Sequence, residues 1–210
     1  MGEGYFLYGQ KGTGSLAVEA ALILIGAPYE IEDVRQADLA GAAFNRLAQV
    51  PALRLPTGEV MTESAAILAW LAEAHPDAKL APAPGAKARV PFLRWMAFVS
   101  SAIYAHYWAL DFPARLTADA DAQKEIVESL ETRIAQCWAI MEAGVDPGQY
   151  LLGDTLTVLD LYVTVVSRWT PRTALHETIA PRIGAVARRV EADPRLADLW
   201  AARFPLRAEA

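Results

Sequence analysis

Short strand patterns occupy residues 5–8 and 29–34, the second running Tyr-Glu-Ile-Glu-Asp-Val with polar and apolar positions in near alternation. Between them, residues 15–25 are apolar around nearly the whole helical circumference, which predicts a helix buried on every side. Gly26 is placed to end that helix, with Pro28 just beyond. Two strands parallel across a helix make a βαβ unit. A weaker helical pattern follows over 39–48. Residues 49–64, QVPALRLPTGEVMTES, then give a strand at 52–55, turn residues Pro56-Thr57-Gly58, an antiparallel return at 59–61 and a helix opening at Ser64. The predicted order is βαβαββα.

After Ala74 the pattern changes. His75-Pro76-Asp77 and the cluster Pro82, Pro84, Gly85 cannot continue a helix and predict a linker at about 76–86. Helical periodicity fills 88–111, 121–143, 159–169, 179–192 and 195–204, interrupted at Pro113, Pro147-Gly148, Pro171 and Asp193-Pro194. The expectation is two domains, an α/β unit over 1–75 and an all-helical unit over 87–205. Thr157, with Asp160 three residues on, reads as a capping box with Asp in the place of Glu, a folding signal at the head of a very apolar helix.

Composition narrows the function classes. With 54% hydrophobic residues in 210 there is ample material for a core, and a net charge of −6 without a basic run disfavours nucleic acid or an anionic membrane as partner. The single cysteine, Cys137, permits no internal disulfide and no cysteine-rich metal site, and its apolar surroundings predict a buried core residue. The N-terminus shows no basic-then-apolar leader and no apolar run approaches membrane-spanning length, so the cytoplasm is the expected compartment.

Chemistry concentrates at the two ends of 49–64. A proline held cis after Val50 would leave the Val50 N–H and C=O pointing outward, able to pair with an extended peptide as an added strand. Ser64 at a helix start offers N–H donors for a carboxylate, and Glu63 offers an acidic partner for an ammonium. An α-amino acid head group carries both charges. The order Gln-Val-Pro-Ala-Leu, hairpin, Thr-Glu-Ser, Ala-Ile-Leu, Trp70-Leu71-Ala72 resembles the thioredoxin-like N-terminal domain of the cytosolic glutathione transferases. The Thr157–Asp160 box and Arg168-Trp169 extend the resemblance into the helical region, the latter towards bacterial members. It implies a detoxifying transferase fold, glutathione as co-substrate with no other cofactor, and a homodimer built in part from helix 64–74 and the first long C-terminal helix. It also implies roles for Val50, after which the cis Pro51 follows, in holding the cysteinyl backbone, for Glu63 and Ser64 in holding the γ-glutamyl end, and for Gln49 as a further contact.

A thiol of pKa about 8.5 is only a few per cent ionised at neutral pH, so such a reaction needs an activating group. By resemblance that group lies in the loop before the first helix, here Gly9-Gln10-Lys11-Gly12-Thr13-Gly14-Ser15. The cysteine of the bacterial cysteine-type pattern falls on Gly14, which excludes a cysteine mechanism there. The candidates are the hydroxyls of Ser15 and Thr13, helped by the positive end of the helix, with Tyr8 as a third. The His-Lys pair of those enzymes falls on Tyr104-Ala105, with His106 two positions late. Tyr104, His106, Tyr107 and Trp108 form an aromatic cluster suited to a small apolar electrophile, with Tyr104 the substrate-binding candidate.

Two rival readings remain open in the sequence. Gly12-Thr13-Gly14-Ser15-Leu16-Ala17 matches the dinucleotide fingerprint G-x-G-x-x-A, with Glu32 and Asp33 near the next strand's end. A non-catalytic glutathione-binding or protein-interaction module is the alternative from another class, prompted by Gly14 and the missing His-Lys pair.

Overall fold

The computed structural model describes residues 4–35, 38, 43–171 and 173–205. Its four strands form one mixed sheet in the order β2 (Tyr29–Asp33), β1 (Tyr5–Gly9), β3 (Ala52–Arg54), β4 (Val60–Thr62). Parallel pairing sets Leu7 of β1 beside Ile31 of β2, and antiparallel pairing sets it beside Leu53 of β3, which in turn faces Met61 of β4. In β1 the side chains of Tyr5 and Leu7 are buried while Phe6 and Tyr8 are only partly covered, the period of two that a sheet with one packed face requires. This is the thioredoxin-like arrangement. A dinucleotide fold needs further parallel βα units, whereas β3 and β4 are antiparallel and the regular elements that follow in the described residues are helical, so the fingerprint at 12–17 has no such context.

Helix α1 (Ser15–Ile25) is buried from Ser15 to Leu22 without a break, as its apolar circumference predicts. Gly26 ends it at φ 72°, a left-handed conformation that costs glycine little, and donates its N–H to the Ile23 carbonyl at 3.0 Å. The weaker helix expected at 39–48 is not formed over 43–48, which hold turns, and 39–42 lie outside the described residues. Asn45 gives the reason: its Oδ1 accepts from Leu47 N–H and its Nδ2 donates to the Gln49 carbonyl, both at 2.9 Å, so the side chain offers the backbone a turn in place of a helix.

The helical remainder runs α2 (Ser64–Ala74), α3 (Arg89–Phe98), α4 (Ala105–Asp111), α5 (Ala120–Gly144), α6 (Val158–Ser167), α7 (Pro181–Glu191) and α8 (Ala197–Arg203). The stretch read as one helix over 88–111 changes its winding midway: Val99–Tyr104 is a π-helical segment between α3 and α4. Ser101 Oγ donates to the Ala97 carbonyl at 2.8 Å, competing with the backbone for that acceptor, which favours a wider turn. Cys137 is fully buried in α5, and burial pushes its thiol pKa up.

Two charged clusters tie the helices together, one of them on α1. Glu19, 5% exposed within α1, meets Arg203 of α8 at 2.6 Å, and the same guanidinium reaches Asp33 of β2 at 2.7 Å. Tyr29 Oη donates to Glu19 at 3.3 Å. Burial raises the Glu19 pKa and Arg203 opposes that rise. Next along the chain from Arg203, the Phe204 ring lies under the Arg168 guanidinium at 4.3 Å, and Arg168 pairs with Glu191 at 3.6 Å.

The head of α6 carries the capping box. Asp160, fully buried, accepts from Leu151 N–H at 2.8 Å, Thr157 N–H at 2.7 Å and Thr157 Oγ1 at 2.8 Å. Burial pushes its carboxyl up to about 6, against the pull of those donors. Replacing Asp160 by alanine strands three buried donors, each costing about 1–3 kcal/mol before water or rearrangement offsets part of it, so a net loss of about 3 kcal/mol or more is expected in urea denaturation. Asp160→Asn keeps one acceptor and should lose less. Since the folded pKa exceeds the unfolded value, the titration of Asp160 favours the folded state below it and that contribution fades as pH rises through about 6. The stability advantage of the parent over Asp160→Asn should accordingly shrink between about pH 4 and pH 6.

Candidate active site

The loop between β1 and α1 is held from both sides. Within it, Thr13 Oγ1 lies 2.8 Å from the Gln10 carbonyl and 2.8 Å from Ser15 Oγ, while Ser15 Oγ accepts Gln10 N–H at 3.0 Å and donates to the Gln10 carbonyl at 3.0 Å. From the helical part, Trp169 Nε1 donates to the Gly12 carbonyl at 2.9 Å, and the Arg203 carbonyl accepts Gly12 N–H at 3.2 Å. Gly12 sits at φ 73°, where a side chain would be disfavoured.

The second wall comes from the segment between Asn45 and α2. The Val50–Pro51 peptide is cis. Glu63 occupies φ 66°, an uncommon conformation for a residue with a side chain, and leads directly into α2. The amide N–H groups of that helix's first turn have no intrahelical acceptor, and the N-cap Glu63 side chain does not cap them. Ser64 Oγ donates instead to Tyr162 Oη of α6, at 3.2 Å, joining the α/β part to the helical part.

These walls enclose a cavity of about 370 Å³, within the range of small-molecule sites. Thr13, Gln49, Val50, Pro51, Glu63, Ser64 and Tyr104 all line it. Ser15 does not: it is fully buried behind Thr13, its hydroxyl engaged within the loop. Tyr8 also lies off the lining and stacks on Phe44 at 4.1 Å.

The remaining wall is aromatic. Tyr104, Tyr107 and Trp169 cluster, with ring centroids of Trp169 4.7 Å from Tyr104 and 5.2 Å from Tyr107. Trp108 and Phe112 stand nearer solvent with the Arg115 guanidinium stacked over both, at 4.8 and 4.1 Å. Tyr107 Oη is hydrogen-bonded to Thr170 Oγ1. Burial raises the Tyr104 pKa strongly, with Tyr162, Glu63 and Asp111 adding to the rise and the Gly14 backbone opposing it. Asp111 is itself raised by burial.

Comparison with known proteins fixes the family. Residues 15–74 match the glutathione S-transferase N-terminal domain. Over 201 residues the chain is 32% identical to the uncharacterized GST-like protein YncG of Escherichia coli strain K12, covering 92% of this chain and 95% of that protein. The chain belongs to the glutathione transferase family. Two solved structures share its fold: a glutathione transferase homologue from Sulfitobacter with bound glutathione (TM-score 0.86, 24% identity, 95% of this chain and 98% of that one) and a sphingomonad glutathione S-transferase complexed with glutathione (TM-score 0.78, 26% identity, 94% and 98%).

Several lining residues of this transferase-family cleft escaped the reading of the sequence: Gln10, Asn45, Ser100, Asp111, Phe112, Arg115 and Trp169. A signal for part of them exists. Ser100, Tyr104 and Trp108 recur at intervals of four, one stripe along the helix read over 88–111, and their mixed polarity marks a face that is neither core nor ordinary surface. His106 lies off that stripe and off the cavity lining. The Trp169–Gly12 bond yields a test: Trp169→Phe keeps a ring beside Tyr104 but leaves the Gly12 carbonyl without its indole donor. It should cost about 1 kcal/mol in denaturant unfolding and raise amide exchange at Gly12 and Thr13, whereas unchanged exchange would show that the indole does not hold the loop.

Proposed function

We propose that this cleft binds glutathione and that the chain transfers the glutathione thiolate to small, apolar electrophiles. The observation that carries the reading is the convergence of Val50, Glu63 and Ser64 with Thr13 on one cavity. The γ-glutamyl carboxylate would take the amide donors at the head of α2 and its ammonium the Glu63 carboxylate, while the extended cysteinyl backbone pairs with Val50, next to Gln49 and Pro51. The glutathione present in the sphingomonad structure supports the same co-substrate here, with no other cofactor.

Thr13 and Ser15 share the activating role unequally. Both hydroxyls reach the Gln10 carbonyl, so Ser15 can keep that acceptor while Thr13 turns its proton to the sulfur. Ser15 then acts as a positioning residue and Thr13 as the donor. The aromatic wall of Tyr104, Tyr107, Trp108, Phe112 and Trp169 supports an apolar second substrate. We further infer a homodimer to which α2 and α3 contribute, supported by exposed Val90 and Leu93 on α3. The domain division at 1–75 and 87–205 and the cytoplasmic site of action belong to the same reading.

Titration calorimetry should show glutathione binding to the intact protein, and Glu63→Gln should weaken it by about 1–3 kcal/mol through loss of a charge-assisted hydrogen bond. Absence of binding to the parent would end the assignment. In a conjugation assay Thr13→Ala should lower turnover about 10–100-fold, or about 1.4–2.7 kcal/mol. Binding without any conjugation by the parent would instead favour the second reading, a non-catalytic glutathione-binding module, which the side-chain-free Gly14 in the loop supports.

A further inference from the structure

Among the glycines of the loop, Gly14 is the one where a side chain would collide with the helical part of the molecule. A Cβ built on it would lie 2.7 Å from Tyr104 Oη, closer than a real Cβ tolerates without displacement of its neighbour, and 3.0 Å from Tyr104 Cε1, itself a tight contact. Gly14 itself has φ −60°, open to any residue, so its backbone does not call for glycine. What calls for it is Tyr104, whose hydroxyl occupies the space a side chain at 14 would fill.

The hydroxyl is set there by several elements. Tyr104 is the last residue of the π-helical segment, and its ring packs edge-on to Tyr162 of α6 at 6.2 Å and against Trp169 at 4.7 Å. Its oxygen lies against Gly14 at the start of α1, and the Gly14 backbone N–H acts as a donor towards it. Among the described residues no acceptor lies within hydrogen-bond reach of its own proton. Tyr104 also lines the cleft together with Thr13. A phenol that receives an amide at its oxygen and has no partner for its proton, at the wall of a binding cavity, is built to donate to something that enters.

We propose that Tyr104 is a second hydrogen-bond donor to the glutathione sulfur, supplied by the helical part of the chain through the gap that Gly14 leaves open. The proposal rests on the reading that glutathione binds here, with its head at Glu63–Ser64 and its cysteinyl backbone at Val50, which directs the sulfur to the end of the cleft walled by Thr13 and Tyr104. On ionisation the thiol proton passes to solvent and the phenolic proton stays on Tyr104, hydrogen-bonded to the thiolate. Burial keeps the phenol protonated through the working pH range, so it remains a donor throughout. The charged groups bearing on it are Glu63 at the head of α2 and Asp111 at the end of α4, both of which oppose a thiolate nearby. The ammonium of the bound ligand would offset Glu63 and the Arg115 guanidinium in the same wall would offset Asp111, so hydrogen bonds to the sulfur add to a nearly balanced field.

The test reads the thiol directly and needs no electrophile. The ultraviolet absorbance of the bound thiolate is followed against pH for the parent, Tyr104→Phe and Gly14→Ala, with the affinity of S-methylglutathione, which has no ionisable thiol, as a control on folding and on the rest of the site. Tyr104→Phe should raise the pKa of bound glutathione by about one unit, a roughly tenfold loss of thiolate below that pKa, with S-methylglutathione still bound. Gly14→Ala should give the same shift by pushing the hydroxyl aside, and the double variant should shift no further than either alone. A parent that lowers the thiol pKa and a Tyr104→Phe variant that lowers it equally, with S-methylglutathione bound by both, would overturn the role of Tyr104 while leaving the binding reading intact. A parent that binds neither ligand would remove both.

Discussion

The ion pair between Glu19 and Arg203 is the constraint on which the closure of the molecule depends. A carboxylate inside a helix that is buried on every side is costly unless a cation reaches it, and Arg203 does so from the last helix at 2.6 Å while also holding Asp33 at 2.7 Å. Satisfying that charge fixes α8 against α1 and β2. The same docking brings the Arg203 carbonyl to Gly12 N–H, so the residue that neutralises the core charge also ties down the loop that walls the cleft. Trp169, following α6, holds the other side of Gly12. The cleft is therefore not a property of the α/β part alone: its loop is shaped by contacts that exist only once the helices have packed.

Hydroxyl groups at this boundary divide between structure and availability. Ser15 is engaged with both the N–H and the carbonyl of Gln10, and Ser64 gives its proton to Tyr162. Thr13 shares an acceptor with Ser15 and so can be released from it, and Tyr104 leans on Gly14 with no acceptor for its own proton among the described residues. Which hydroxyls face the cavity with a free donor thus follows from how each loop amide and carbonyl is satisfied, and two residues of similar chemistry, Thr13 and Ser15, separate into a cavity-lining donor and a buried support.

Much of the frame was legible in the sequence. Period-two strands, the all-round apolar α1, Gly26 and the Thr157–Asp160 box each specify local structure through contacts a few residues away, and all appear where their patterns lie. The stretch at 39–48 failed for a local reason of its own: the Asn45 side chain supplies turn hydrogen bonds that outcompete a weak helical pattern. The continuous helix read over 88–111 missed the π-helical turn, since hydrophobic periodicity records which face is buried and not the pitch by which a helix reaches it.

The sequence by itself determined that Val50, Pro51, Glu63 and Ser64 would flank a hairpin in a thioredoxin-like unit, because turn residues, strand alternation and a helix start fix those positions within sixteen residues of chain. Only the tertiary structure decided that Ser15 turns inward while Thr13 faces the cavity, that Ser64 is bonded to Tyr162, and that Tyr104 fills the space beside Gly14. The last two depend on a partner far along the chain, 98 positions away for Ser64, and the first on a Gln10 loop that Trp169 and Arg203 pin from the helical part. The direction of a side chain at such a contact is set by the packing of two elements against each other, and local propensity carries no information about that meeting.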